Sequence, residues 1–193
     1  MKYAAIDIGN VCVAIDKTVP FREIGFDINA PECEKLFDLV RLMEWGKINE
    51  DDFFARLSEM PECRKKNKDE LKKLFNSILI APVPGMRTLL RELPSLGVMP
   101  VFFSDISTCH LEDCRRMFPE MRCFDGIYSF DFGAYKPSAK LFDAFEEKYG
   151  KPLIYTDDRQ ELIDGAAANN WNAHCFVSAT ELREQIVKLL LQS

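Results

Sequence analysis

The sequence has few of the residues that build zinc centres or disulfide frameworks. It contains two histidines, and its seven cysteines are scattered without a C-x-x-C pair or a histidine at zinc-site spacing. An odd number of isolated cysteines also argues against a disulfide-stapled fold. We therefore expect neither structural zinc nor disulfides, and instead the reduced thiols of a cytoplasmic protein.

Long apolar runs and an excess of positive charge are lacking as well. The longest apolar run, ILIAPVPGM, is interrupted by Pro82 and Pro84, so we expect no membrane-spanning helix. The first residues reach a carboxylate too soon for a signal peptide. The net charge of −6 disfavours nucleic-acid binding, which needs cations to neutralise phosphates, but it is compatible with a small anionic ligand in a locally positive site.

Short apolar runs, by contrast, recur along the chain and alternate with helical patterns. Strands buried on both faces of a parallel sheet have this uninterrupted apolar character. The alternation predicts an α/β fold with an open, doubly wound parallel sheet covered by helices. The runs are YAAIDIG, GVMPVFFSD, PLIYTDD and AHCFVS, and FDGIYSFDFG holds a further predicted strand.

Residues 13–84 do not follow this alternation. In the segment KDELKKLFNSIL, apolar side chains recur at the spacing of one helical face, and two further segments in the range are helical in pattern. We expect residues 13–84 to form a small helical cap inserted after the first strand. The α/β core then consists of residues 1–12 and 85–193.

Polar side chains follow three of the predicted strands. Because the carboxyl ends of parallel strands meet at one edge of a sheet, these side chains are expected to form one cluster. Such a cluster is costly to bury unless a cation or an anionic ligand compensates it, and hard oxygen ligands select Mg²⁺. The residues are Asp7, Ser104 with Asp105, and Asp157 with Asp158, joined by Lys136 just before a predicted helix.

This set of residues fits phosphoryl transfer to water from a small phosphate ester. Asp7 attacks phosphorus and forms an aspartyl-phosphate, which water then hydrolyses. Ser104 holds a phosphate oxygen by a hydrogen bond, and Lys136 neutralises charge that shifts in the transition state.

Four segments resemble, in order, the motifs of the haloacid-dehalogenase-like (HAD) hydrolases. They are DIGNV, VFFSD, GAYKPSAKLF and LIYTDDRQELIDGA. The helical insert after the first motif matches the position of that family's type 1 cap. The resemblance implies that Asp7 is the nucleophile and a Mg²⁺ ligand, that Ser104 binds the phosphate, and that Lys136 is the motif lysine.

The resemblance also implies the remaining metal contacts. Asp158 matches the acidic metal ligand, and Asp157 matches the preceding acid, which binds the ion through water or orients the site. The backbone carbonyl of Gly9 corresponds to a main-chain metal contact. Asn10 and Asp105 complete the predicted substrate-binding set, although Asn10 either hydrogen-bonds the phosphate or pins the turn.

Gly9 departs from the family pattern. Most phosphatases of the family have a second aspartate at this position, which protonates the leaving oxygen and activates water. One interpretation is a leaving group that needs little protonation, because the D-x-G-N-V form resembles sugar-1-phosphate phosphatases and the phosphatase-like domain of epoxide hydrolases. A second is that Asp105 or a cap residue supplies the proton. A third is a degenerate site in a binding or regulatory module.

We favour an active phosphatase that acts on a sugar phosphate. A metal-free haloacid dehalogenase is a further alternative, but adjacent carboxylates such as the TDD pair bring no advantage without a metal. In the cap, Glu44 and Trp45 lie where this family reaches toward substrate, although packing of Trp45 between helices is the preferred interpretation. For His110, capping or packing is likewise preferred over substrate contact.

Overall fold

A five-stranded parallel sheet forms the centre of the structure, a computed structural model that describes residues 1–24 and 33–192. The strands are β1 (Lys2–Ile6), β2 (Val13–Ile15), β3 (Leu79–Pro82), β4 (Val98–Ser104), β5 (Asp125–Tyr128), β6 (Ile154–Asp157) and β7 (Ala173–Cys175). The central sheet has the order β5-β4-β1-β6-β7, and every neighbouring pair in it is parallel. The order places β1 between β4 and β6.

Helices cover both faces of this sheet. The helices among the described residues are α1 (Val19–Ile24), α2 (Cys33–Glu44), α3 (Glu50–Glu59), α4 (Lys68–Asn76), α5 (Met86–Glu92), α6 (Thr108–Met117), α7 (Ser129–Phe132), α8 (Ala139–Tyr149), α9 (Gln160–Ala168) and α10 (Ala179–Leu191). Apolar residues of α5, α6 and α10 pack on one face, and those of α8 and α9 pack on the other. The predicted doubly wound α/β fold is confirmed.

Side-chain alternation along the strands builds two separate cores. Successive strand residues point to opposite faces, so Phe102 joins the core beneath α5, α6 and α10, while its neighbour Phe103 joins the core beneath α8 and α9. Phe103 packs among aromatic rings, with Tyr155 at 5.6 Å and Trp171 at 5.5 Å between centroids. These rings form the apolar floor below the edge where β1, β4 and β6 end.

The segment between β2 and β3 is helical where it is described. β2 and β3 pair in antiparallel fashion, and helices α1 to α4 lie between them in sequence. Asn49 caps α3 by accepting from the Asp52 amide at 2.8 Å, and Asn67 forms a capping box with Glu70. A third apolar cluster among these helices includes Phe53, Phe54 and Leu71. The division into a core and a cap of residues 13–84 stays a prediction.

The helices in the described ranges are all too short or too polar to cross a bilayer.

Candidate active site

Polar residues at the ends of three neighbouring strands lie close together. Asp7 follows β1, Ser104 ends β4, and Asp157 ends β6. Because β1 pairs with both of the other strands, the three side chains meet at one edge of the sheet. All three are buried, with exposed fractions of 6% for Asp7, 3% for Ser104 and 0% for Asp157.

Lys136 joins two of these strand ends. Its Nζ donates to Asp7 Oδ1 at 2.7 Å, to Asp157 Oδ2 at 2.6 Å and to the Phe103 carbonyl at 2.9 Å. Its side chain is 1% exposed. An ammonium group has three protons, so every donor of Lys136 is used inside the protein. The lysine therefore supplies the positive charge that keeps two buried carboxylates together.

Asp157 is a fully engaged carboxylate. Besides Lys136, it accepts from Tyr155 Oη at 2.6 Å and from the Arg159 amide at 3.1 Å. Burial by itself raises the pKa of Asp157, but the charge of Lys136 and these hydrogen bonds outweigh burial and hold the pKa below its ordinary value. Asp157 is thus ionised and fixed in orientation.

Asp7 has the opposite electrostatic balance. Burial raises its pKa, and the charge of Asp157 adds to that effect, while Lys136 and a hydrogen bond from Ser104 oppose it. The positive charge of Lys136 therefore does not fully offset the effect of burial on the pKa of Asp7. A cation bound beside it would favour its ionised, nucleophilic form.

The site has the donor set for such a cation. Asp7, Asp157 and Asp158 each offer a carboxylate oxygen, and the three oxygens lie within 4.8 Å of one another. Together with Asp105, these carboxylates share only the charges of Lys136 and Arg159 among the described residues, which leaves an excess of negative charge. Hard oxygen donors with that excess fit Mg²⁺. The role of the Gly9 carbonyl stays a prediction.

The side chain of Asn10 links the turn after β1 to the carboxylate cluster. Its backbone has φ 54°, a left-handed conformation that asparagine tolerates. The side-chain Nδ2 donates to Asp158 Oδ2 at 2.9 Å, and Oδ1 accepts from the Ile15 amide at 3.0 Å. Asn10 therefore both pins the turn and orients Asp158, while its predicted contact with phosphate stays a prediction.

Asp105 holds the loop that carries the lysine. Its Oδ1 accepts from the Lys136 amide at 2.9 Å, and its Oδ2 accepts from Arg159 Nη2 at 3.3 Å. Burial raises the pKa of Asp105, although Lys136 and Arg159 work against that shift. The substrate-binding role predicted for Asp105 stays a prediction, and the structure adds a positioning role.

A polar cavity of about 350 Å³ opens over this cluster. Its walls combine the strand-end residues with side chains from the region between β2 and β3. The cationic and polar residues that sequence reasoning did not assign to the site are Lys17, Tyr135 and Arg159. The sequence gives a signal for Arg159, a cation that directly follows the TDD pair.

Glu44 faces the same cavity from the end of α2. Tyr135 Oη donates to Glu44 Oε2, and the Trp45 ring packs on the Tyr135 ring with centroids 5.4 Å apart. Burial raises the pKa of Glu44, opposed by the Tyr135 hydrogen bond and by the charges of Lys17 and Arg159, while Asp105 adds to the increase. Trp45 thus packs on Tyr135, which lies outside residues 13–84, and its packing between cap helices stays a prediction.

His110 lines the cavity as a neutral ring. It stacks on Phe75 with centroids 4.1 Å apart, and its Nε2 lies 3.2 Å from the Phe75 carbonyl. Burial lowers the pKa of His110 to about 4. The ring is therefore uncharged near neutral pH, in agreement with the packing role preferred from the sequence.

No family model matches the chain. A curated relative, the sesquiterpene phosphatase astK of Aspergillus oryzae, is 26% identical over 177 residues, which cover 86% of this chain and 85% of the relative.

Solved structures share the whole fold. A HAD family enzyme from Bacteroides thetaiotaomicron superposes with a TM-score of 0.77 at 18% identity, covering 92% of this chain and 94% of that one. The same enzyme in complex with magnesium and inorganic phosphate gives a TM-score of 0.76 at 19% identity, covering 92% and 95%. A HAD-like family hydrolase from Porphyromonas gingivalis gives 0.76 at 18% identity, covering 98% of each chain. The chain therefore shares the fold of these HAD family proteins.

Proposed function

We propose that the chain is a Mg²⁺-dependent phosphatase that hydrolyses small phosphate monoesters through an aspartyl-phosphate on Asp7. The observation that carries the proposal is the buried group in which Lys136 bridges Asp7 and Asp157, with Asp158 beside them. The phosphatase name of the Aspergillus relative and the magnesium and phosphate bound by the Bacteroides enzyme support it.

The chemistry divides into two displacements at phosphorus. In the first, a carboxylate oxygen of Asp7 bonds to phosphorus, the bond from phosphorus to the substrate oxygen breaks, and the departing alcohol takes up a proton. In the second, water attacks phosphorus, which releases inorganic phosphate and restores the Asp7 carboxylate. A Mg²⁺ ion held by Asp7, Asp157 and Asp158 would shield the negative charges of phosphate and carboxylate from one another.

The remaining residues bind and orient. We assign to the Ser104 hydroxyl, which is buried and hydrogen-bonds to Asp7, the role of holding a phosphate oxygen. Lys136 acts through its charge, because its three protons are donated to protein atoms. Arg159 lines the cavity and is partly exposed, so it is available to a phosphate oxygen.

We infer that Glu44 supplies the proton that Gly9 cannot. Both oxygens of Asp105 already accept hydrogen bonds from Lys136 and Arg159, which reduces its freedom to donate. Glu44 lines the polar cavity, and its raised pKa keeps it protonated to a higher pH than an ordinary glutamate. A leaving group that needs no acid, such as a sugar 1-phosphate, is the other solution to the missing aspartate, and it stays a candidate substrate class.

Phosphate release from a panel of phosphate monoesters tests the proposal. The purified chain with Mg²⁺ should release phosphate from some of them, and a chelator should abolish the release. Activity on a 2-haloacid that survives the chelator would instead favour the dehalogenase alternative. No turnover of any phosphate ester, combined with tight binding of a phosphate ligand, would favour the binding module.

A further inference from the structure

A second cavity adjoins the polar one. It has a volume of about 310 Å³, within the range of small-molecule sites, and lies among helices α1, α2 and α4. Most of its walls are hydrocarbon, including Phe21, Leu36, Val40, Leu57, Leu74 and Phe75.

The two cavities share a wall. Lys17, Glu44, Ile78, His110 and Tyr135 line both of them. One molecule can therefore extend from the strand-end cluster, past these shared residues, into the apolar cavity. Two polar contacts are already made on the shared wall, because Tyr135 donates to Glu44 and the His110 ring nitrogen contacts the Phe75 carbonyl. Lys17 adds a cation to this wall.

The chemistry of the apolar cavity disfavours a sugar. Lys17, Arg41 and Glu44 offer a few polar partners, but a sugar hydroxyl that faces the hydrocarbon side chains would lose water without a hydrogen-bond partner, which is unfavourable. A hydrocarbon chain loses nothing comparable and gains from each methylene that leaves water. Phe37, which also lines the cavity, is 44% exposed, so part of its ring is open to solvent.

We propose that the substrate is an amphiphilic phosphate monoester, with its phosphate over Asp7 and the hydrocarbon chain of its alcohol in the apolar cavity. The inference rests on the proposed phosphatase function. It names a substrate class different from the sugar phosphates favoured by the sequence. An alkoxide leaving group of this kind is strongly basic, which agrees with the need for Glu44 as a proton donor.

A series of straight-chain alkyl phosphates, from ethyl to decyl and kept below micelle-forming concentrations, tests the substrate class. We expect kcat/KM to rise about fourfold per added methylene until the cavity is full. Glucose 1-phosphate should be hydrolysed less efficiently than decyl phosphate. A rate independent of chain length, or a clear preference for the sugar phosphate, would overturn the inference and leave the phosphatase proposal standing.

A substitution in the apolar cavity tests whether the alkyl chain binds there. Val40→Trp fills the apolar cavity and should lower the ratio of decyl to ethyl phosphate kcat/KM by more than about tenfold, since excluding two methylenes already costs that much. Val177→Trp is the matched control, because Val177 is 71% exposed and lines neither cavity. It should leave the ratio unchanged. An equal ratio in the wild type and in Val40→Trp would contradict the placement of the chain.

A binding measurement separates the two proposals. Alkyl phosphonates, which cannot be hydrolysed, are titrated into the wild-type chain with Mg²⁺ by calorimetry. Affinity that rises with chain length supports the substrate class even if no ester is turned over, and in that case the phosphatase proposal alone fails. Affinity that is independent of chain length contradicts the substrate class.

Discussion

The polar cavity and the apolar cavity lie side by side but are built in different ways. The polar cavity is formed at the ends of β1, β4 and β6, whose positions are fixed by backbone hydrogen bonds between neighbouring strands. The apolar cavity is formed by side chains from separate helices, which pack on one another and are joined by side-chain ion pairs such as Lys72 with Glu50. The first arrangement holds charges in fixed geometry, as catalysis requires, and the second provides a surface whose shape varies readily with side-chain size.

The largest effect is expected from removing the central cation. Lys136→Met leaves Asp7 and Asp157 buried together without a counter-charge, so unfolding free energy should fall by about 3–5 kcal/mol and phosphatase activity should be lost. Urea unfolding measures the change. Lys148→Met is the matched control, because it removes an exposed pair with Asp125 and should cost less than about 1 kcal/mol. Equal losses in the two variants would contradict the assigned role.

The next effect concerns the proton donor on the shared wall. Glu44→Gln should reduce kcat on alkyl phosphates by about 10²-fold or more, because a basic alkoxide needs a proton as it leaves. The kcat on an aryl phosphate, whose phenol leaving group is acidic, should fall much less. In the wild type, activity on alkyl phosphates should decline as pH rises through the raised pKa of Glu44. The Glu44→Gln variant should not show this decline.

Glu59→Gln is the control for this experiment, since Glu59 is exposed on α3. A uniform loss on alkyl and aryl substrates would show that Glu44 matters for structure and not for proton transfer.

A smaller, opposite effect is expected at the first turn. A Cβ at Gly9 would lie 3.7 Å from Asp7 Oδ2 and 3.3 Å from the flexible end of Ile15, so a side chain there is tight but feasible. Gly9→Asp places a carboxyl beside the nucleophile and should raise kcat on alkyl phosphates, by roughly tenfold in the Glu44→Gln background. Gly9→Asn, of the same size, should give no increase. An equal response to both variants would rule out a proton-transfer explanation.

The last effect concerns the stability contributed by a single hydrogen bond in the polar cluster. Tyr155→Phe removes the donor to Asp157 and should lower stability at neutral pH by about 1.5–3 kcal/mol. The depressed pKa of Asp157 stabilises the fold above the ordinary aspartate pKa, and this contribution is lost as pH falls through the folded-state value. The difference between variant and wild type should therefore shrink toward acidic pH.

Urea unfolding at a series of pH values measures that difference. Tyr149→Phe is the matched control, because Tyr149 donates to Asp125 at the surface. The loss of stability in Tyr149→Phe should be smaller than in Tyr155→Phe and should depend less on pH.

The same contrast between strands and helices explains how far the sequence predicted the molecule. Asp7, Ser104 and Asp157 end apolar runs, and a parallel sheet necessarily brings such ends to one edge. Tyr155 was missed, although its spacing of two residues from Asp157 on a strand places both side chains on one face. The pair of Tyr135 and Glu44 joins residues 91 positions apart, and no local pattern indicates that contact. The apolar cavity depends on the packing angles of several helices, which periodicity does not specify.

The central claim is that Asp7 receives the phosphoryl group. Its most direct test is acid quenching of the chain during turnover with Mg²⁺ and a reactive phosphate ester, followed by mass spectrometry of its peptides, with Asp7→Asn and the exposed-site variant Asp143→Asn in parallel. We expect a phosphoryl group on the peptide that contains Asp7 in the wild type and in Asp143→Asn, and neither phosphoryl group nor turnover in Asp7→Asn. Full turnover by Asp7→Asn, or a phosphoryl group on a different residue, would contradict the account.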